Sequence, residues 1–401
     1  MASSDRAEPI ARRAARSEGD HSELEARGGL GVVAADRILV IRLGALGDVV
    51  RTLPAVQALR RRYPGAHLAW LVESSAAGVV ERAEFVDEIL VFPREDLIAF
   101  LRAADGLSFL RGLGRFVRRL RGRRFDLVLD FHGILKSGLL SRLSGAPVRY
   151  GYGRQGAREY AELFANRRVD LPDLRVSRYE RNASLLKALV RDAEISHGPF
   201  LVPSALATAR LTARLRVSGR ERMSGFVLIH PGSSAGATYK RYAPKSWAEV
   251  ARRLVEKGVP VWIAAHGGRQ ERMLVDEILH LAKGALMAAP ETHSFDDLLA
   301  LLARASVFVS GDSGPLHAAS LSGVPVVQLL GPTDPGQNEC WRHSLSRRAR
   351  FPLPCSPCRR GCADPACMAV IPPGFVVDQI MQLQVAAASP ETAVEAPGSS
   401  K

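Results

Sequence analysis

The sequence predicts an α/β protein made of two parallel-sheet halves that face each other across a cleft. Three observations carry that reading. Short apolar, β-branched runs alternate with segments of helical periodicity. The alternation stops and then resumes after an Arg-rich stretch at 204–224. The length, 401 residues, suits two domains of ordinary size. Strands alternating with helices argue for parallel pairing, and ligands of such sheets bind at the carboxyl ends of the strands.

In the first half, RILVIRL (37–43) reads as a buried strand and GALGD (44–48) as a glycine turn. A helix follows over 49–63, with Val49, Leu53, Val56 and Leu59 on one face and Pro54 in its first turns. Further strands are expected at 67–72, 88–92 and 126–131. In the second half the expected strands are 226–230, 259–265, 285–288, 307–310 and 324–330. The expected helices are 246–257, 269–282, 295–305 and 315–322. The resulting division is a disordered tail over 1–36, one domain over 37–203, a second over 204–371, a helix over 372–388 and a disordered tail over 389–401.

An apolar content of 47% and a charged content of 24% exclude a disordered or fibrous chain. No apolar run is long enough to span a bilayer, and residues 1–20 contain no signal-type apolar core. A cytoplasmic location is therefore expected. The net charge is +14, with 48 Arg against seven Lys. Residues 1–36 hold seven acids and five Arg, so the basic excess belongs to the folded body. Such a field attracts nucleotides, acidic glycolipids, an anionic membrane or nucleic acid, unless it is simply a solvated surface.

Asp48 opens a helix at a strand's carboxyl end. It suits either an N-cap or a general base that takes a proton from an attacking hydroxyl. HPGSS (230–234) ends a strand with Ser233 and Ser234, whose hydroxyls and N–H groups suit phosphate oxygens, and Lys240 and Arg241 follow with fixed positive charge. VSGDSGPLH (309–317) repeats the arrangement: Asp312, Ser313, Gly314 and His317 surround a helix start, which binds anions, although Asp312 and Ser313 are also good caps. The two turns together favour a nucleoside diphosphate. Glu271, in HGGRQER (266–272), suits either a ribose hydroxyl or the first turn of a helix.

GALGDVVRTLPA, DFHGILKSG, HPGSS…KRYAP, AAHGGRQE and VSGDSGPLHAASLSGVPVVQLLGPTDP occur in that order over about residues 37–381. The set resembles the bacterial lipopolysaccharide heptosyltransferases, most of all heptosyltransferase I. The resemblance implies the GT-B fold, with two Rossmann-like domains. It implies an inverting, metal-independent transfer of heptose from ADP-heptose to the Kdo of a lipid A-Kdo acceptor, by a peripheral enzyme of the inner membrane. It makes Asp48 the base and gives Lys240 the donor phosphates. Ser233, Ser234, Asp312, Ser313, Gly314 and His317 line the donor site, Glu271 contacts the ribose, and Lys136 lies on the acceptor side. Alternatives are another nucleotide sugar or a protein acceptor, a nucleotide-sugar epimerase of GT-B shape, and a silent membrane-binding module.

Two segments stand apart from the motifs. Cys355, Cys358, Cys362 and Cys367 are spaced C-x2-C-x3-C-x4-C, which suits a structural Zn or Fe site, reduced thiols or a redox switch. FLRGLGRFVRRLRGRR (109–124) has seven Arg and no acid, with Leu110, Leu113, Val117 and Leu120 on one helical face. It suits docking on its own domain with the Arg in water, or an anionic inner-membrane surface. Nucleic acid is not an expected partner.

Overall fold

Among the described residues, twelve strands form two six-stranded sheets in which every pairing is parallel. The computed structural model describes residues 33–388, apart from 172, 197, 267, 342–343 and 359–361. The first sheet contains β1 (Arg37–Ile41), β2 (His67–Glu73), β3 (Glu88–Phe92), β4 (Leu127–Asp130), β5 (Val148–Tyr152) and β6 (Arg167–Val169), in the order β3-β2-β1-β4-β5-β6. The second contains β7 (Phe226–His230), β8 (Val261–Ile263), β9 (Met287–Ala288), β10 (Ala305–Gly311), β11 (Val326–Leu329) and β12 (Ser346–Ala349), in the order β12-β11-β10-β7-β8-β9. β1 is flanked on both sides, with Val40 opposite Trp70 and Leu129, and its residues Ile38 to Ile41 are fully buried. Burial on both faces explains why this strand reads as a continuous apolar run without alternation.

The expected helix over 49–63 is two helices, Leu46–Val50 and Leu53–Arg62. Pro54 has no N–H to return to the Val50 carbonyl, so the first helix stops and the proline starts the second. At the break the Arg51 carbonyl accepts from Asn182 Nδ2 at 3.0 Å, in the helix Arg178–Leu189. The Arg-rich stretch after 204 contains a helix, Ala205–Val217, whose Ser204 hydroxyl caps the Ala207 N–H at 3.0 Å. β5 and the edge strands β6 and β12 go beyond the sequence expectation. β6 and β12 carry two adjacent Arg each, and an edge strand tolerates charge because one flank stays wet. The strands expected at 259–265 and 285–288 shorten to Val261–Ile263 and Met287–Ala288.

The helix Gly106–Arg121 buries Leu120 and lays Phe109, Leu113 and Phe116 on the first-sheet core, where Phe116 meets Phe92 edge-on at 5.3 Å. Leu110, expected on that inner face, is 64% exposed. The C-terminal helix Pro373–Ala388 covers the second sheet with Val376, Val377, Ile380 and Leu383. Residues 1–32 and 389–401 of the two expected tails lie outside the described residues. No helix among the described residues is long and apolar enough to cross a membrane.

Leu39 sits at the centre of the first core with no exposed surface. Leu39→Ala is expected to cost about 2–5 kcal/mol, through lost transfer energy and the cavity left behind. The urea unfolding midpoint followed by circular dichroism measures it.

Candidate active site

Two helix starts meet at the carboxyl edges of the two sheets. A Cβ on Gly47 would lie 3.1 Å from Gly314 Cα, and one on Gly314 would lie 2.7 Å from Leu46 Cδ2. The absence of side chains therefore lets the helices Leu46–Val50 and Gly314–Leu321 touch. This contact sets Asp48, from the first half, against Asp312 and His317, from the second.

Asp48 is not an N-cap. Ala45 holds that position without a side-chain bond, and Asp48 lies in the first turn. Its carboxylate pairs with Arg42 Nη2, with Arg51 Nη1 at 3.3 Å and with Arg178 Nε at 3.8 Å. Burial opposes its charge, but Arg42, Arg178 and Arg51 outweigh burial and hold the carboxyl far below the usual range. Arg42 is fixed by donating to the Phe131 carbonyl at 2.7 Å. Arg178 directly follows the N-cap Ser177 of a capping box, in which Ser177 Oγ accepts from Glu180 N–H at 3.1 Å and Glu180 Oε2 accepts from Ser177 N–H at 3.0 Å.

Arg51 also reaches across the cleft. Its Nη2 donates to Asp312 Oδ1 at 3.2 Å and lies against His317 Nε2. Lys240 Nζ donates to Asp312 Oδ2 at 2.8 Å. Asp312 is therefore a carboxylate that organises cations. Burial opposes its charge, and His317, Arg51 and Lys240 hold it ionised. Burial, followed by the charge of Arg51, brings the His317 imidazole down to about 4, so it is neutral at pH 7. Ser313 caps the helix Gly314–Leu321, its Oγ accepting from Leu316 N–H at 3.4 Å, and it also meets Ser310 Oγ at 3.0 Å.

Asp48, Lys240, Glu271, Asp312, Ser313, Gly314, His317, Ser233 and Ser234 all line one cavity of about 390 Å³. The structure thus brings together every expected residue of the base and donor sites. Arg241 donates from Nε to Ser233 Oγ at 3.1 Å and braces that loop. Glu271 is folded under the same loop: a Cβ on Gly232 would lie 2.4 Å from its carboxyl carbon. Its Oε1 accepts from the His266 N–H at 2.8 Å and pairs with His230 Nε2 at 2.8 Å. Burial pushes this carboxyl up, but His230 and the His266 amide bring it down to about 2.

Lys136 lies outside this cavity. Its ammonium pairs with Glu73 at the end of β2 and sits 5.6 Å above the Phe92 ring. The loop before it is shaped by Asp130, whose Oδ1 accepts from the His132 and Gly133 N–H groups at 2.9 and 3.2 Å and whose Oδ2 accepts from Ser137 Oγ at 2.8 Å. Gly133 has φ +69°, and a Cβ there would lie 3.0 Å from the Tyr152 ring, so the turn requires glycine. Among the described residues, the four cysteines are not arranged as a ligand set. Cys355 and Cys362 are exposed, Cys367 is buried beside the Gly331 turn, and no group of three or more His, Cys, Asp or Glu among the described residues is arranged to hold a metal ion.

Sequence reasoning missed Arg42, Arg51 and Arg178. Arg51 had a local signal, since it follows Asp48 by three residues in the same turn. The SRYE capping box marked the helix start that carries Arg178.

The family model described as glycosyltransferase family 9 (heptosyltransferase) matches residues 113–366. The chain belongs to that family. It is 28% identical over 329 residues to lipopolysaccharide heptosyltransferase 1 of Pseudomonas aeruginosa, covering 80% of this chain and 86% of the relative. It is 24% identical over 304 residues to the enzyme of the same name from Escherichia coli K12, covering 75% and 89%. Among solved structures it resembles the E. coli heptosyltransferase WaaC with ADP-2-deoxy-2-fluoro heptose, with TM-score 0.67, 21% identity and coverage of 86% and 99%. It also resembles a family 9 glycosyl transferase from Veillonella parvula, with TM-score 0.72, 20% identity and coverage of 88% and 99%. The family 9 chain is thus an α/β glycosyltransferase with the GT-B arrangement of two parallel sheets.

The charge on Glu271 stabilises the fold fully above its ordinary value of 4.5 and progressively less as pH falls toward 2. The stability advantage of the wild type over Glu271→Gln is therefore expected to hold from neutral pH to about 5 and to shrink between 4.5 and 2. Urea midpoints across that range test it. An undiminished gap at pH 2 would assign the effect to packing and not to charge.

Proposed function

We propose that this chain transfers heptose from ADP-heptose to the Kdo of a lipopolysaccharide inner core, with inversion and without a catalytic metal. One observation carries the reading: Asp48 from the first half lines the same cavity as Lys240, Ser313 and His317 from the second. Ser233, Ser234, Lys240 and the helix start at Gly314 hold the donor diphosphate, and Glu271 faces the ribose. The relatives named above are lipopolysaccharide heptosyltransferases, which supports the donor and the class of acceptor.

The reaction is a single displacement. The acceptor oxygen attacks C1 of the heptose while its proton passes to an Asp48 oxygen. The bond from C1 to the phosphate oxygen breaks, and its electron pair leaves with ADP. Lys240 and Arg51 stand where that negative charge grows, and the N–H groups at Gly314 add the positive end of a helix. Lys240 must exchange Asp312 for the diphosphate, and Asp48 must loosen from its arginines before it can accept a proton. Cleft closure excludes water and aligns the two sugars.

Asp48→Asn is expected to lower the transfer rate by about 10²–10⁴-fold while ADP affinity changes little. Rapid-quench kinetics and titration calorimetry measure the two. Turnover close to wild type would overturn the base assignment. Stronger binding of ADP than of UDP or GDP supports the donor, and equal binding of all three argues for another nucleotide sugar.

The acceptor is proposed to be reached at an anionic membrane surface on the cytoplasmic side. Leu101, Leu107 and Leu110 are 58%, 57% and 64% exposed around the start of the Arg-rich helix, and Arg111, Arg115, Arg118 and Arg119 are exposed along it. Apolar side chains beside a row of arginines suit an anionic interface. Leu107→Asp with Leu110→Asp is expected to lower co-sedimentation with phosphatidylglycerol vesicles several-fold and to leave transfer to a deacylated acceptor unchanged. Unaltered sedimentation would remove this surface from the membrane reading.

A further inference from the structure

A buried chain of polar side chains runs beneath the donor cavity, from Glu271 to the residue that caps the helix Gly314–Leu321. Glu271 Oε1 lies 2.8 Å from His230 Nε2. On the other edge of the same ring, His230 Nδ1 lies 3.3 Å from Ser310 Oγ. Ser310 Oγ lies 3.0 Å from Ser313 Oγ, which accepts from the Leu316 N–H at 3.4 Å. All four side chains are less than a tenth exposed, and Ser310 is fully buried. Strand register makes the central link: β10 pairs with β7 so that Ser310 stands opposite His230. Single displacement at the heptose gives neither His230 nor Ser310 a task.

The ends of this chain face different parts of a nucleotide. Both close contacts of the Glu271 carboxylate fall on Oε1, from the His266 N–H at 2.8 Å and from His230, which leaves Oε2 for a ribose hydroxyl. Ser313 begins the helix whose N–H groups point toward the diphosphate. We propose that His230 is a positioning residue that couples the nucleoside end of the donor to its diphosphate end, so that the site takes a whole nucleoside diphosphate in preference to its parts.

The direction of the hydrogen bonds explains the coupling. An ionised carboxylate can only accept, so Nε2 carries a proton and gives it to Glu271. Nδ1 accepts from the Ser310 hydroxyl, the Ser310 oxygen accepts from the Ser313 hydroxyl, and the Ser313 oxygen accepts from the Leu316 N–H. Both hydroxyl hydrogens are spent inside the protein, and Ser313 has none left to give a phosphate. A one-way chain away from water polarises as a unit. The charge of Glu271 makes each oxygen along it more negative, as far as Ser313. A ribose hydroxyl that donates to Oε2 shares that charge and relaxes the polarisation. The Ser313 oxygen then repels the diphosphate less, and each end of the nucleotide strengthens the binding of the other.

The coupling presupposes that Glu271 faces the ribose, as proposed above, and the two can fail separately. Titration calorimetry of the full chain with ADP, AMP and their 2′,3′-dideoxy forms measures the affinity gained from the β-phosphate with and without the ribose hydroxyls. In the wild type that gain is expected to be at least about threefold larger with the hydroxyls present. Ser310→Ala and His230→Leu are expected to make the two gains equal. His230→Gln, whose amide offers both a donor and an acceptor, is expected to restore the difference. In transfer assays His230→Leu is expected to raise the donor KM about tenfold and to keep kcat within about twofold of wild type, whereas partial unfolding lowers kcat at constant KM. Equal gains in the wild type overturn the coupling and leave the donor reading standing. A difference that persists in both Ser310→Ala and His230→Leu overturns the route through His230. A wild type that binds none of these nucleotides overturns the donor reading and the coupling with it. Coupled binding without heptose transfer overturns the proposed reaction and supports the coupling.

Discussion

Arg51 is shared by two carboxylates from opposite halves of the molecule, and much of the cleft is arranged around that sharing. Asp48 and Asp312 lie on one side and the other of a single guanidinium, with Arg42 and Arg178 completing the first and Lys240 and His317 the second. Buried like charges repel and buried opposite charges need partners. The two sheets can therefore approach only if these groups interlock. The pair Gly47 and Gly314 makes the approach sterically feasible.

The same interlocking governs chemistry. A carboxylate among three arginines is well ordered and weakly basic. Lys240, a cation held by Asp312, is equally well placed. Asp48 and Lys240 are thus each held by other groups of the protein. Asp48, Arg51 and Arg178 line both the cavity of about 390 Å³ and a smaller one of about 120 Å³, so charge links the two through these residues. Order at the site comes from the strands behind it: Arg42 follows β1, His132 follows β4, His230 ends β7 and Asp312 follows β10. Parallel pairing puts all four at the same edges.

Much of the second half was legible in the residues. The turns after β7 and β10 announced themselves through Gly and Ser at strand ends followed by helix starts, because anion binding at a helix start is a local property of backbone and caps. Glu271 was legible as a residue of the site but not in its setting, since the His230 contact joins residues far apart in sequence. The first half was legible as strands and helices, yet the break at Thr52 was missed although Pro54 marked it. The arginines around Asp48 were hidden among 48 of their kind. In so basic a chain the residue type carries little information, and only position distinguishes Arg178 in the cleft from Arg118 in solvent. The cysteine spacing suggested a ligand set that the fold does not assemble among the described residues.

Sequence alone determined the alternating α/β plan, the division into two halves, the Gly/Ser turns at two strand ends and the carboxylate at the first turn. All of these are local: they depend on periodicity, glycine placement and capping within a few residues. The tertiary structure decided which charges meet. It placed Asp48 among Arg42, Arg51 and Arg178, turned Asp312 toward Arg51, Lys240 and His317, and left Arg158 and Arg181 beside an open space. Such contacts join residues up to 266 positions apart. No periodicity encodes them, because electrostatic pairing depends on distance in space and on burial, and both exist only once the two sheets have packed.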